Sequence, residues 1–316
     1  MKASKLFFCG ILFSLGLLAT SCHPVDYYVA PSTPSNSYNN NQNTYTPTVY
    51  TVQNYDYKNY DGFYGYLNEG TYLSIPPNAF IDVNGYIVHG RIALSVVEIL
   101  KKSEMFLDSV STVSDSAILE SGGILKISAT QYGNPLALNS GVHISASFLA
   151  TGSPLKMKFY NGISSKFGYT DWISNKDSIN NSVSLTKDSS RSGSTYIYNL
   201  TSSGTGWISA EHLAGLSPLT TVNVHLTNSG TFTNETCAFI FPFISVAIMN
   251  KDTGTNNFII AEMPVGIKAT LVIRAKKGNV TYSAFVPVTI TANMKNQVTL
   301  TQMSDNEFYV KLRALD

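Results

Sequence analysis

Apolar and polar residues alternate in short runs along most of this chain. Val142, Ile144, Ala146 and Phe148 alternate with His143, Ser145 and Ser147, the period of a strand with one face buried. Val222, Val224 and Leu226 repeat the pattern between Thr221, Asn223 and His225, as do Tyr196, Tyr198 and Leu200, and Val298 with Leu300. Turn-forming pairs fall between such runs: Asn84-Gly85, Gly122-Gly123, Asn134-Pro135 and Lys277-Gly278-Asn279. Many short strands at this spacing predict a mainly β fold of tandem β-sandwich modules. Helix is scarce. Residues 101–108 offer one helical turn after a strand over 91–100. Ser304 followed by Glu307 is a capping box for a short C-terminal helix with Phe308, Leu312 and Leu315 on one face. Residues 237–249 are almost wholly apolar, yet Pro242 and the short length exclude a membrane span, so they read as two buried strands with a bend.

The N-terminus breaks the alternation. Residues 6–18 form an apolar run behind Lys2 and Lys5. The run is shorter than the roughly 20 residues that cross a bilayer and has the flanks of a secretory signal. Ala19-Thr20-Ser21 then precede Cys22. This combination resembles the lipobox of bacterial lipoprotein signals, with Ala19 standing where Leu is commoner. The resemblance implies removal of residues 1–21 as a signal peptide, a diacylglycerol thioether on Cys22, and usually a third acyl chain on the new amino group. Several chains anchor far more firmly than one, since each buried methylene adds about 0.8 kcal/mol. An ordinary signal peptide with a chance cysteine at its end is the alternative.

Residues 22–65 carry the lipidated cysteine and a low-complexity stretch rich in Pro, Ser, Asn and Tyr. Such a stretch buries too little surface to offset its ordering entropy, so it reads as a disordered tether. Tyr38, Tyr45, Tyr50, Tyr55, Tyr57 and Tyr60 recur through it, either as partner contacts or as ordinary linker residues. Residues 66–235 are expected to form a β-sandwich region of one or two subdomains, and residues 236–316 a β-module ending in the helix.

Charge narrows the partners. Without Lys2 and Lys5 the basic count falls from 21 to 19, against 20 acidic residues. A near-neutral chain with no basic stripe argues against nucleic acid. Of the three cysteines only Cys237 remains beyond Cys22, so no intrachain disulfide framework is expected, and Cys237 reads as a small buried hydrophobe.

Two resemblances add architecture. Ile75-Pro-Pro-Asn-Ala-Phe80, followed by Gly90-Arg-Ile-Ala-Leu-Ser-Val-Val-Glu-Ile99, resembles the β-domain shared by zonula-occludens proteins, netrin receptors and ankyrins. Lys102-Ser-Glu-Met105, Leu119-Glu-Ser-Gly-Gly123, Leu155-Lys-Met-Lys-Phe-Tyr-Asn-Gly162, Asp171-Trp172, Gly206-Trp-Ile-Ser209 and Pro264-Val-Gly266 are similar, in order, to pieces of uncharacterised Bacteroidota lipoproteins. That likeness runs from about Tyr66 to the C-terminus and implies architecture more than activity. Ser209, Ala210 and Glu211 depart from the Asn and acidic residue that often follow the Gly-Trp pair in those relatives. The segment 258–301 resembles transthyretin-type or collagen-adhesin-type β-modules, which usually serve as spacers.

Chemistry-bearing motifs are sparse. Nothing reads Gly-x-Ser-x-Gly, and no HExxH or paired-His spacing occurs. His23, His89, His143, His212 and His225 are dispersed, with His143 and His225 on the polar faces of their strands. Carboxylates are few, notably Glu98, Glu104 and Glu211, so no catalytic residue, metal or cofactor is assigned. Trp172 and Trp207 are candidates either for a sugar-stacking platform or for core anchors at a subdomain seam. In Bacteroidota, O-glycans are attached at Asp, then Ser or Thr, then an aliphatic or Thr residue. Asp108-Ser109-Val110, Asp115-Ser116-Ala117 and Asp177-Ser178-Ile179 fit that pattern, so Ser109, Ser116 and Ser178 are candidate acceptors.

The expectation is a non-enzymatic cell-envelope lipoprotein held on the outer membrane and acting as a binding or structural module, with a glycan or an envelope protein as partner. A glycan-binding accessory of a polysaccharide-uptake system is the runner-up, and an enzyme with an unrecognised site the third reading. One Asp among His23-Pro24-Val25-Asp26-Tyr27, where surface-exported lipoproteins often carry several acidic residues, leaves periplasm-facing and cell-surface placements equally open.

Overall fold

A computed structural model describes residues 52–316, apart from 115–116, 151–154, 165–169, 189–194, 216–217, 229–231 and 253–254. Strands dominate, as the alternation predicts. The first sandwich contains Gln53–Lys58 (β1), Phe63–Tyr66 (β2), Tyr72–Ile75 (β3), Arg91–Ile99 (β4), Val110–Ser114 (β5), Ala117–Gln131 (β6) and Ile144–Leu149 (β7). It continues with Lys158–Ser164 (β8), Thr170–Ser174 (β9), Ser182–Lys187 (β10), Tyr196–Ser202 (β11) and Gly206–Leu213 (β12). One sheet runs β1-β4-β6-β12-β8-β9-β5, and β5 pairs back onto β6, closing a ring of five strands. The facing sheet runs β10-β11-β7-β3-β2. Leu73, Ile75, Leu94, Val96, Ile127 and Phe148 are among the side chains packed between them.

The second sandwich holds Leu219–Leu226 (β13), Thr233–Ile240 (β14), Val246–Ile248 (β15), Asn257–Pro264 (β16), Lys268–Lys277 (β17), Val280–Thr289 (β18) and Lys295–Val298 (β19). One sheet contains β16-β13-β19 and the other β15-β14-β17-β18. The module boundary expected at residue 235 therefore moves N-terminal of Leu219. Strand β13 pairs antiparallel with β16 and parallel with β19, about 70 residues further on, which local pattern cannot reveal.

The tether expectation is also corrected at its C-terminal end, because residues 53–65 include β1 and most of β2. Tyr55 and Tyr57 are 6% and 7% exposed and pack in the core, while Asn54, Asp56 and Lys58 face solvent. A period of two lies inside what reads as a low-complexity stretch. Gln53 Nε2 donates to the buried Glu98 carboxylate (3.1 Å), which also accepts from the amides of Glu69 and Thr71. Deleting residues 23–58 is expected to expose the edge of β4 and leave these aromatic pockets empty. It should cost about 3 kcal/mol or more in a urea melt.

Gly122-Gly123 is not the turn the sequence suggests. It lies inside β6 at a bulge, opposite a register shift between Ala210 and Glu211. Gly123 has φ +151°, and a Cβ there would stand 2.7 Å from Phe148 Cε2. The strand bends where only glycine leaves room for the core ring.

The two sandwiches share a third apolar cluster. Ala238, Ile240, Val246 and Ile248 meet Met105, Leu119, Tyr160 and Trp172, and the helix Asp305–Arg313 (α2) adds Phe308 and Leu312. Within β14, Cys237 and Phe239 face the second sandwich's own core, whereas Ala238 and Ile240 face this seam. A sheet covered on both faces reads as a continuous apolar run, which explains residues 237–249. The helix Lys102–Leu107 (α1) also lies at the seam. Lys102 Nζ donates to Phe241 O (3.1 Å), and Ser103 donates through both its amide and hydroxyl to Asp316. Hydroxyls of Ser111 and Thr112 accept from the amides of Ile248 and Val246, so side chains of β5 satisfy the edge of β15. Ser304 Oγ accepts from Glu307 N (3.2 Å), supplying the expected cap for α2.

Candidate functional site

Cys22, Ser116 and His23 lie outside the described residues. Trp172 does not fit the sugar-platform reading. It is 0% exposed, and its Nε1 donates to Ser111 O at 2.5 Å, so neither ring face is open to a ligand. Trp207 is half-buried over Gly162, where a Cβ would come within 2.5 Å of the indole Cβ, and Lys126 Nζ sits 5.2 Å from its ring centre. It packs against the seam cluster. Both tryptophans thus serve packing, which a large apolar ring rewards most.

The candidate glycan acceptors separate by exposure. Ser178 is exposed in a turn whose Asp177 carboxylate accepts from the amides of Ile179 and Asn180. Ser109 is half-buried with φ +55° between Asp108 and the buried Val110. An enzyme reading the triplet would have to pull that segment out of the seam, so Ser109 is a poor acceptor and Ser178 an accessible one.

The described histidines do not converge. His143 contacts Asn180, His212 contacts Lys156 O and His225 contacts Asn257, each through a ring nitrogen. Among the described residues no group of three His, Cys, Asp or Glu side chains is placed to hold a metal ion. Cys237 is buried, its thiol pushed well up by desolvation, and lies 3.4 Å from Met249 Sδ. A thiol held neutral is inert as a nucleophile.

Two carboxyls are strongly perturbed. Burial pushes Glu211 up to about 8; Asp108 is likewise pushed up to about 8 by burial, with Glu104 adding repulsion. Glu211 is 0% exposed on β12, and its Oε1 is in a short hydrogen bond with Ser209 Oγ. Ser209 Oγ also lies 3.0 Å from Gly123 O. One hydroxyl has a single proton, so it cannot donate to both. A protonated Glu211 resolves this by donating to Ser209, which donates onward to Gly123 O. Protonated, Glu211 ties β12 to β6 through Ser209 and Gly123 O. Nearby, a cleft of about 330 Å³ at the seam is lined by Lys102, Glu120, Ser121, Tyr198 and Phe243 among others. Its polar lining is largely engaged: Tyr198 Oη bonds both backbone groups of Leu155, and Ser121 N donates to Ile244 O.

A different feature stands out on the surface. Strand register places three rows on the outer face of the sheet β10-β11-β7-β3-β2. One row reads Tyr66, Tyr72, Ser147, Asn199 and Ser184 across five strands. The next reads Tyr64, Ser74, Ser145, Thr201 and Ser182, and a third Leu149, Ile197 and Thr186. Tyr66 is 75% exposed and Tyr64 50%. The rings of Tyr66 and Tyr72 meet edge to face at 5.1 Å. Ser147 Oγ donates to Asn199 Oδ1 (2.8 Å), and Asn199 Nδ2 donates to Thr186 Oγ1 (2.9 Å), fixing the amide. No Asp, Glu, Lys or Arg stands in these rows. The opposite outer face of the same sandwich carries Asp56, Lys58 and Arg91.

Tyr64, Tyr66 and Tyr72 are not among the candidate residues that the sequence pattern singles out. The alternation Phe63-Tyr64-Gly65-Tyr66 was available, but which side faced water depended on strand pairing. No protein-family model matches this chain, and no curated protein matches it either.

Proposed function

We propose that this protein is a non-enzymatic cell-envelope lipoprotein, anchored through acyl chains on Cys22, whose first sandwich is a binding module. The observation supporting it is the cluster of exposed tyrosines beside three sheet rows that carry no Asp, Glu, Lys or Arg. Exposed aromatic groups bring a large contact area at low conformational cost, which is why they are favoured at recognition surfaces. The second sandwich, joined to the first through a shared apolar cluster, acts as a rigid spacer, in keeping with its resemblance to stalk modules. The likeness to Bacteroidota lipoproteins supports an outer-membrane setting.

Site-specific photo-crosslinking in intact cells tests the reading. A photoreactive residue at Tyr66 is expected to give adducts, while one at Val310, 63% exposed on α2, should give none. Equal labelling at both positions, or none at Tyr66, would remove the binding-module reading.

A further inference from the structure

We infer that the outer face of the β10-β11-β7-β3-β2 sheet takes an uncharged polysaccharide chain, lying across the strands along the row from Tyr66 to Ser184. This rests on the binding-module reading and names its ligand. The first ground is charge. Across three registered rows the side chains are phenols, hydroxyls, one amide and two aliphatics, with no ionic group among them. A nucleic acid or an acidic glycan calls for Lys or Arg to neutralise its charges, and none stands here. Tyrosines also serve protein hot spots, but the rows beside these rings are hydroxyls and one amide, with Leu149 and Ile197 as their aliphatic part.

The second ground is the match of group types. A neutral sugar presents C–H faces, which pack on aromatic rings, and hydroxyls, which both donate and accept. The face offers rings at one end, Tyr64, Tyr66 and Tyr72, then a field of groups with the same dual capacity. The Ser147–Asn199–Thr186 chain orients the amide in advance, which lowers the ordering cost of binding.

The third ground is dimension and direction. Neighbouring strands lie about 4.8 Å apart, so a row of five spans about 19 Å. A linear oligosaccharide extended along it would meet a new side chain at each strand. An open row crossing five strands favours a chain passing over the sheet rather than an end group seated in a pocket. Polymers, not monosaccharides, are therefore the ligand class.

The test is affinity electrophoresis of the full-length chain in detergent, through gels containing neutral or acidic polysaccharides. Wild type is compared with a Tyr66→Ala/Tyr72→Ala double variant. Both positions are solvent-facing, so the variant should keep its melting temperature. Retardation by at least one neutral polysaccharide, weakened about tenfold or more in the variant, is the expected result. Binding confined to acidic polysaccharides and abolished by salt would overturn the proposal, as would neutral binding that the variant retains in full. Failure with every polysaccharide while Tyr66 still crosslinks in cells would overturn the ligand class and leave the binding face standing. Failure of both would remove both readings.

Discussion

The Glu211→Gln variant is expected to match the natural chain in stability near pH 5 and to exceed it by about 4 kcal/mol at pH 9. Glu211 is wholly buried, and desolvation raises its carboxyl from the ordinary value of 4.5 to about 8. Between those two values the folded state holds a proton that the unfolded state has released. Stability is therefore greatest below the unfolded pKa and falls as pH rises through the folded one. Hydrogen bonds from Ser209 and Ser121 favour the ionised form, but desolvation outweighs both and Glu120 adds repulsion. Glutamine copies the neutral acid: its amide can donate to Ser209 and leave the Ser209–Gly123 bond intact. Asp108 is raised in the same direction, so the variant should keep part of the natural decline with pH. Urea melts at pH 5, 7 and 9 check this. Parallel pH profiles for the two proteins would show that Glu211 is ionised in the fold at neutral pH.

Trp172→Ala is expected to cost about 3 to 5 kcal/mol, the range for deleting a large aromatic from a packed interior. The indole joins elements from both sandwiches in the seam cluster and donates to Ser111 O. Its removal leaves a cavity and an unpaired carbonyl next to the contact between Ser111, Thr112 and β15. Trp172→Phe keeps much of the volume and loses the hydrogen bond, so about 1 to 3 kcal/mol is expected. Because the lost packing lies between the sandwiches, calorimetry of the alanine variant should resolve two transitions where the natural chain shows one. Trp207→Ala should cost less, since that ring is half-buried. A sugar-platform role for Trp172 predicts the reverse: weakened binding with little change in stability.

Local pattern carried far in this chain. The mainly β fold, the strands around Val142, Val222 and Tyr196, the turn of helix after residue 100 and the capped C-terminal helix all follow from periodicity and capping residues. These are short-range effects, written within a few neighbouring positions. Gly122-Gly123 shows the limit. The pair signals a turn, yet β6 and β12 continue past it, and a bulge there leaves room for Phe148 of the facing sheet. Residues 53–58 show another. Tyr55 and Tyr57 look like their neighbours Tyr45 and Tyr50 until β4 offers an edge on which they can bury.

What the sequence determined by itself is the class of the fold, the apolar N-terminal run ahead of Cys22, and the scarcity of charge. Each depends on composition or on side chains a few residues apart. Tertiary structure alone decided which tryptophan is sealed, which carboxyl burial pushes up, where the second sandwich begins and which tyrosines face water. Burial, desolvation and cross-strand register arise between residues tens of positions apart. They are set by which strands pair, and no local alternation records that choice.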